Sequence, residues 1–90
     1  MESQVAYVLN ARTYLYIIDF EGFFEYTFYN DLCKVTEVGK IAKNGHELHD
    51  ALNLICKSHQ LTVAHVHKLS DEEFRVFAQN ADDYEWVNVL

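Results

Sequence analysis

The sequence predicts an α+β fold, an antiparallel β-meander followed by two helices and two further strands. Three observations carry that expectation. Residues 4–30 are dense in β-branched and aromatic side chains. Apolar residues recur at helical spacing only after residue 44. Breakers are scarce, with no Pro and three Gly in 90 residues, so most of the chain belongs in regular elements joined by short connections. The expected order is β-β-β-(β)-α-β-α-β, over one compact domain spanning 1–90.

Gln4 to Leu9 reads as a first strand, ended by Asn10-Ala11-Arg12. Thr13 to Phe20 and Phe23 to Tyr29 read as a hairpin about Glu21-Gly22, although Glu is a poor residue where φ must be positive. Leu32 to Val38 is a fourth strand, closing at Gly39. Asn44-Gly45-His46-Glu47 has the spacing of a capping box, with Asn44 as N-cap. Leu48, Ala51, Leu52 and Ile55 then follow at i, i+3, i+4 and i+7, and the helix fades near His59-Gln60. Leu61 to His67 alternates as a strand. Ser70-Asp71-Glu72-Glu73 is a second capping box, with Leu69 and Phe74 placed as a hydrophobic staple. Three acids in that first turn suit the positive end of the helix dipole. Tyr84 to Leu90 closes the chain as a last strand.

The net charge is −7, unevenly spread. Residues 1–31 carry five acids and one base, residues 71–90 six acids and one base, while residues 32–70 carry five bases and three acids. This balance argues against direct binding of a phosphate backbone, which needs clustered Lys and Arg. It favours a partner with a basic surface. Two cysteines are too few for a secreted disulfide framework, and Met1-Glu2-Ser3-Gln4 lacks the basic and apolar regions of a signal peptide. No apolar run approaches a membrane span. A cytoplasmic location is expected.

Nine of the 13 aromatic residues lie between Tyr7 and Tyr29. With a two-residue turn, Phe20 faces Phe23, and one face of the hairpin shows Tyr14, Tyr16, Ile18, Phe20, Phe23 and Tyr29 beside Glu25 and Thr27. The other shows Leu15, Ile17, Phe24, Tyr26 and Phe28. The second face suits a core beneath the helices. The tyrosine face is either buried under a helix of its own or exposed as an interface, since Tyr buries a large ring while keeping a polar tip. On the interface reading its partner-binding residues are Tyr14, Tyr16, Phe20, Phe23 and Tyr29. Glu72, Asp82, Asp83 and Glu85 add carboxylates, which beside Tyr84 and Trp86 imitate the phosphates and bases of a nucleic acid.

His46 and His49, Cys56 and His59, and His65 and His67 are spaced so that each pair could share a metal, yet nothing in the sequence brings the pairs together. No metal or other cofactor is expected. No P-loop, G-x-S-x-G, G-x-G-x-x-G or H-E-x-x-H occurs, and Cys56 with His59 lacks an orienting third group, so no enzyme is expected.

The expected function is that of a small acidic protein that binds another protein and inhibits it. In size, charge and composition the chain resembles phage-encoded proteins that disable host defences, anti-CRISPR proteins among them. That resemblance rests on those general properties and on no motif. It implies a target that binds nucleic acid or serves defence, in the host cytoplasm. The alternatives are a homodimeric small-ligand-binding module, with the tyrosine face paired to itself, and a non-catalytic regulatory subunit.

Overall fold

A computed structural model describes residues 4–9, 12–61 and 66–81. The strands are β1 (Gln4–Leu9), β2 (Thr13–Phe20), β3 (Phe23–Tyr29), β4 (Val35–Ala42) and β5 (Val66–Lys68). The helices are α1 (Leu48–Ser58) and α2 (Asp71–Asn80). Among the described residues the strands form one antiparallel sheet in the order β4-β3-β2-β1-β5. The architecture is α+β, in the order the sequence predicts as far as α2. The expected last strand, Tyr84 to Leu90, lies outside the described residues, as does most of the stretch before Val66.

The hairpin register is the predicted one. Phe20 pairs with Phe23, Tyr16 with Thr27 and Tyr14 with Tyr29. The positive φ of the turn falls on Gly22, at 85°, so Glu21 escapes the conformation it tolerates poorly. The β-meander then departs from expectation. Asn30 folds residues 30–34 into a turn, its Oδ1 accepting from the amides of Leu32 (2.9 Å) and Lys34 (3.0 Å). Cys33 adopts φ 60° there, and β4 starts three residues later than Leu32, at Val35. The strand also runs through Gly39 instead of closing at it. The Tyr26 ring lies on Gly39 so closely that a Cβ at that position would collide with it.

Opposite faces of the sheet carry separate cores. On the leucine face, Leu15, Ile17, Phe24, Tyr26 and Phe28 pack with Val5, Tyr7 and Leu9 beneath Leu48, Ala51 and Ile55 of α1. On the tyrosine face, Ala6, Tyr29, Leu69 and Phe77 are buried together, with Tyr14, Tyr16, Val35 and Phe74 packed against them. The path of the chain explains this division. It leaves the β4 edge, crosses the leucine face on α1, returns at the opposite edge as β5 and lays α2 on the other face. Glu25 and Thr27 are buried on the tyrosine face, and Thr27 Oγ1 has no hydrogen-bond partner among the described residues.

The first helix begins later than its sequence signal indicates. Asn44 and Gly45 take successive positive φ values of 47° and 84°, and the His46 amide donates to the Lys43 carbonyl at 2.8 Å. Asn-Gly is here the chemistry of a tight turn with two left-handed residues, which outcompetes a helix start. Glu47 becomes the N-cap, and its box closes with Asp50, whose Oδ2 accepts from the Glu47 amide at 3.1 Å. The second box forms as predicted: Ser70 Oγ accepts from the Glu73 amide at 3.2 Å, and Glu73 Oε1 accepts from the Ser70 amide at 2.9 Å. Leu69 and Phe74 join the same cluster, in keeping with the staple.

Candidate functional site

Aromatic side chains placed two apart on neighbouring strands meet on one face, and a helix laid across part of that face divides them. Phe77 of α2 is central to that division. Its ring centroid lies 4.9 Å from Tyr14, 5.1 Å from Tyr29 and 6.3 Å from Tyr16, while Phe74 lies 5.8 Å from Tyr16. Tyr29 is 1% exposed. Of the five aromatic residues expected at an interface, Tyr29 is therefore core, and Tyr14 and Tyr16 are half-buried flanks of α2. The reason is the docking of α2, whose two phenylalanines need an apolar surface and find it there.

Phe20 and Phe23 lie beyond the reach of α2. Their rings stack at the hairpin tip with centroids 5.2 Å apart and an interplanar angle of 19°. Phe20 remains 38% exposed, and Lys40 of β4 places its ammonium 5.3 Å from the Phe23 centroid. Two rings and a cation thus form a contiguous patch from three strands, a geometry in which the cation faces the electron-rich ring.

Acidic candidates separate in the same way. Glu72 is exposed on α2 beside Asp71. Glu73 is committed to structure: besides capping the helix it meets His67 Nε2 at 3.2 Å. Its carboxyl is held below the usual range, first by the Ser70 amide and then by His67 and the Ser70 hydroxyl. Asp82, Asp83 and Glu85 lie outside the described residues.

The potential metal ligands remain dispersed. His46 Nδ1 faces Asp50 at 3.8 Å, and His49 faces Glu47 and Asp50 at 3.6 Å each. Among the described residues no three His, Cys, Asp or Glu side chains converge as a metal needs. His65 lies outside the described residues. Cys56 is buried in the core, where desolvation pushes its thiol up, the reverse of an activated nucleophile. Cys33, half-buried, forms no disulfide among the described residues.

His59 shows an arrangement the sequence does not disclose. Its Nε2 meets Glu37 Oε2 at 2.7 Å, and its Nδ1 lies 3.0 Å from Ser58 Oγ. Serine, histidine and carboxylate thus fall in the order of a hydrolytic triad. The details oppose that chemistry. Ser58 Oγ donates to the Ile55 carbonyl at 3.0 Å, so that carbonyl competes with His59 Nδ1 for the serine's single proton. Both residues also stand at the C-terminal end of α1, where the helix carbonyls disfavour a developing oxyanion.

A cleft of about 470 Å³ opens between the start of α1 and the leucine face. Val5, Tyr7 and Leu48 give it apolar walls, and Asp19, Glu47, Lys43 and Lys68 bring charge to it. Lys43 forms an ion pair with Asp19 and lies 5.5 Å from the centroid of Phe24. Acid and base are thus matched within the protein.

Compared with family models, curated proteins and solved structures, the chain shows no match. Among the described residues no helix is long and apolar enough to cross a membrane.

Proposed function

We propose that this chain is a non-catalytic protein-binding domain whose anchor is the aromatic tip formed by Phe20 and Phe23 with Lys40. One observation carries the reading. The fold draws Tyr29 and Phe77 into its core yet leaves a stacked pair of phenylalanines at the surface, with Phe20 38% exposed. Exposed aromatic pairs beside a cation are in character with binding hot spots, because rigid rings bury much area at small entropic cost.

The expected inhibition of a nucleic-acid-binding or defence protein is a narrower form of this proposal. Its support is the net charge of −7 and the exposed Asp71 and Glu72 on α2, which favour a target with a basic surface. A cytoplasmic setting belongs to the same proposal and agrees with Cys33 and Cys56 forming no disulfide among the described residues.

A photo-crosslinking residue placed at position 20, with position 53 on the exposed flank of α1 as control, tests the anchor in cells. One discrete adduct with another protein from position 20, absent from position 53, supports the reading. Identical adducts from both positions, or none from position 20, reject it, and a self-adduct from position 20 favours the homodimer instead. For the narrower form, affinity for the captured partner should fall steeply as salt rises.

A further inference from the structure

We infer that the groove between α2 and the 30–34 turn receives a segment of another protein in which Arg or Lys adjoins a bulky apolar side chain. The shape of the groove suits such a segment. Its volume is about 330 Å³. Its α2 wall runs from Glu72 through Val76 to Asn80, positions four residues apart on one side of the helix, over a length of about 12 Å. About four residues of extended chain span that length. Cys33 lines the groove from the turn and Tyr14 from β2.

The floor is apolar and fixed. Leu69 and Phe77 are buried there, and the Phe77 ring lies 4.9 Å from Tyr14 and 5.1 Å from Tyr29 between centroids. The rim is open to solvent. Val76 is 55% exposed, and Leu32, which precedes Cys33 in the turn, is 73% exposed. Together with Phe20 these are the exposed large hydrophobic side chains of the described residues. One of them thus lines this groove and a second adjoins it in the chain, which makes the groove an apolar surface with a use.

Charge decides the occupant. Glu72 and Glu73 line the groove, and no Lys or Arg does. Glu73 is committed to the helix cap and to His67. Glu72 is exposed, with neither an ion pair nor a side-chain hydrogen bond among the described residues. Arg75 and Lys34 neighbour the groove in sequence without lining it. The cleft at the start of α1 differs, because there Lys43 is paired with Asp19. An unmatched carboxylate beside exposed apolar side chains favours a cation carried on an apolar body. A second copy of the chain brings a net charge of −7, and residues 82–90, which follow α2, bring three acids and no base. Both set like charge against Glu72. A foreign segment with Lys or Arg sets the opposite charge there, and Arg can hold the carboxylate through two parallel hydrogen bonds.

The groove specifies the chemistry of the basic target proposed above without using the aromatic tip. Tyr14 and Phe20 stand six residues apart on β2, about 20 Å, so the two surfaces can fail separately.

The test selects a random peptide library against the intact protein and locates the enriched peptides by amide NMR. Enriched sequences should place Arg or Lys next to Leu, Met or Phe, and should shift the amides of Cys33, Val76 and Asn80. Val76→Ser and Glu72→Lys should each weaken binding about fivefold, whereas Phe20→Ser should leave it unchanged. Both groove positions are exposed, so these variants keep the fold, and the location of the shifts needs no variant. Absence of enrichment, enriched peptides that lack a base, shifts confined to the Phe20 end, or full affinity in Glu72→Lys overturns the inference. Shifts of Val76 that depend on protein concentration without peptide assign the groove to a second copy. Cross-relaxation between Val76 and Trp86 assigns it to the chain's own end, and either result overturns the inference too. Loss of the crosslink at position 20 with peptide binding intact removes the tip and leaves the groove standing.

Discussion

Gln60 illustrates how much one residue's backbone can contribute. At the end of α1 the Leu61 amide donates to the Cys56 carbonyl at 2.8 Å, and the Gln60 amide donates to the Lys57 carbonyl at 3.4 Å. These are the two bonds of a Schellman cap, in which the intervening residue must be left-handed. Gln60 fills that place at φ 56°, where Gly is the usual choice. Gln60→Gly is therefore expected to raise stability by about 0.5–1 kcal/mol, the left-handed cost removed less the added chain entropy. Urea denaturation measures it, and an unchanged midpoint would contradict the assignment. The helix end near His59-Gln60 was legible from fading apolar periodicity, but the cap was not, because no glycine marks it. The contact made by His59 was hidden for another reason: Glu37, its partner, lies 22 residues away.

At the scale of elements, short helices depend on their caps more than long ones do, since few internal bonds sustain them. α2 has 10 residues and carries its phenylalanines to the tyrosine face. Ser70→Ala should cost about 1 kcal/mol through loss of the cap. Glu73 adds a pH dependence. Its carboxyl titrates lower in the folded state than in the unfolded chain, so its contribution is present above the unfolded value and is lost as pH falls through the folded one. Thermal unfolding from pH 5 down to pH 2 should therefore show a smaller acid-induced loss in Glu73→Gln than in wild type. Equal losses in the two proteins would remove Glu73 from that role. Both caps show where element-level reading succeeds and fails. Ser70 and Glu73 carry one unambiguous signal, whereas Asn44-Gly45 is both a helix-start and a turn signal, and the turn prevails.

At the scale of the whole molecule, the described residues form a sheet covered by one helix on each face. Its two cores make different demands on substitution. Phe77 is 5% exposed amid three tyrosines, so Phe77→Ala should cost about 3–5 kcal/mol. Phe20 protrudes at the tip, and Phe20→Ala should change stability by no more than about 0.5 kcal/mol while weakening partner binding. Chemical denaturation of both variants separates the face that folds the protein from the face available to a partner. Comparable destabilisation by the two would place the tip in the core and remove it as an anchor.

Local chemistry was enough for the sequence to determine the α+β class, the hairpin register, the residues of the leucine-face core and the Ser70 cap. Periodicity, turn residues and capping spacings act within a few residues and are written along the chain. Tertiary structure alone decided which tyrosines are core and which aromatic residues stay exposed. It also decided that β4 runs through Gly39 and that His59 meets Glu37. These depend on how elements distant in sequence cross and pack, and apolar burial has no direction of its own. A helix with two phenylalanines can cover either half of an apolar face, and the half it leaves uncovered is the surface available for function.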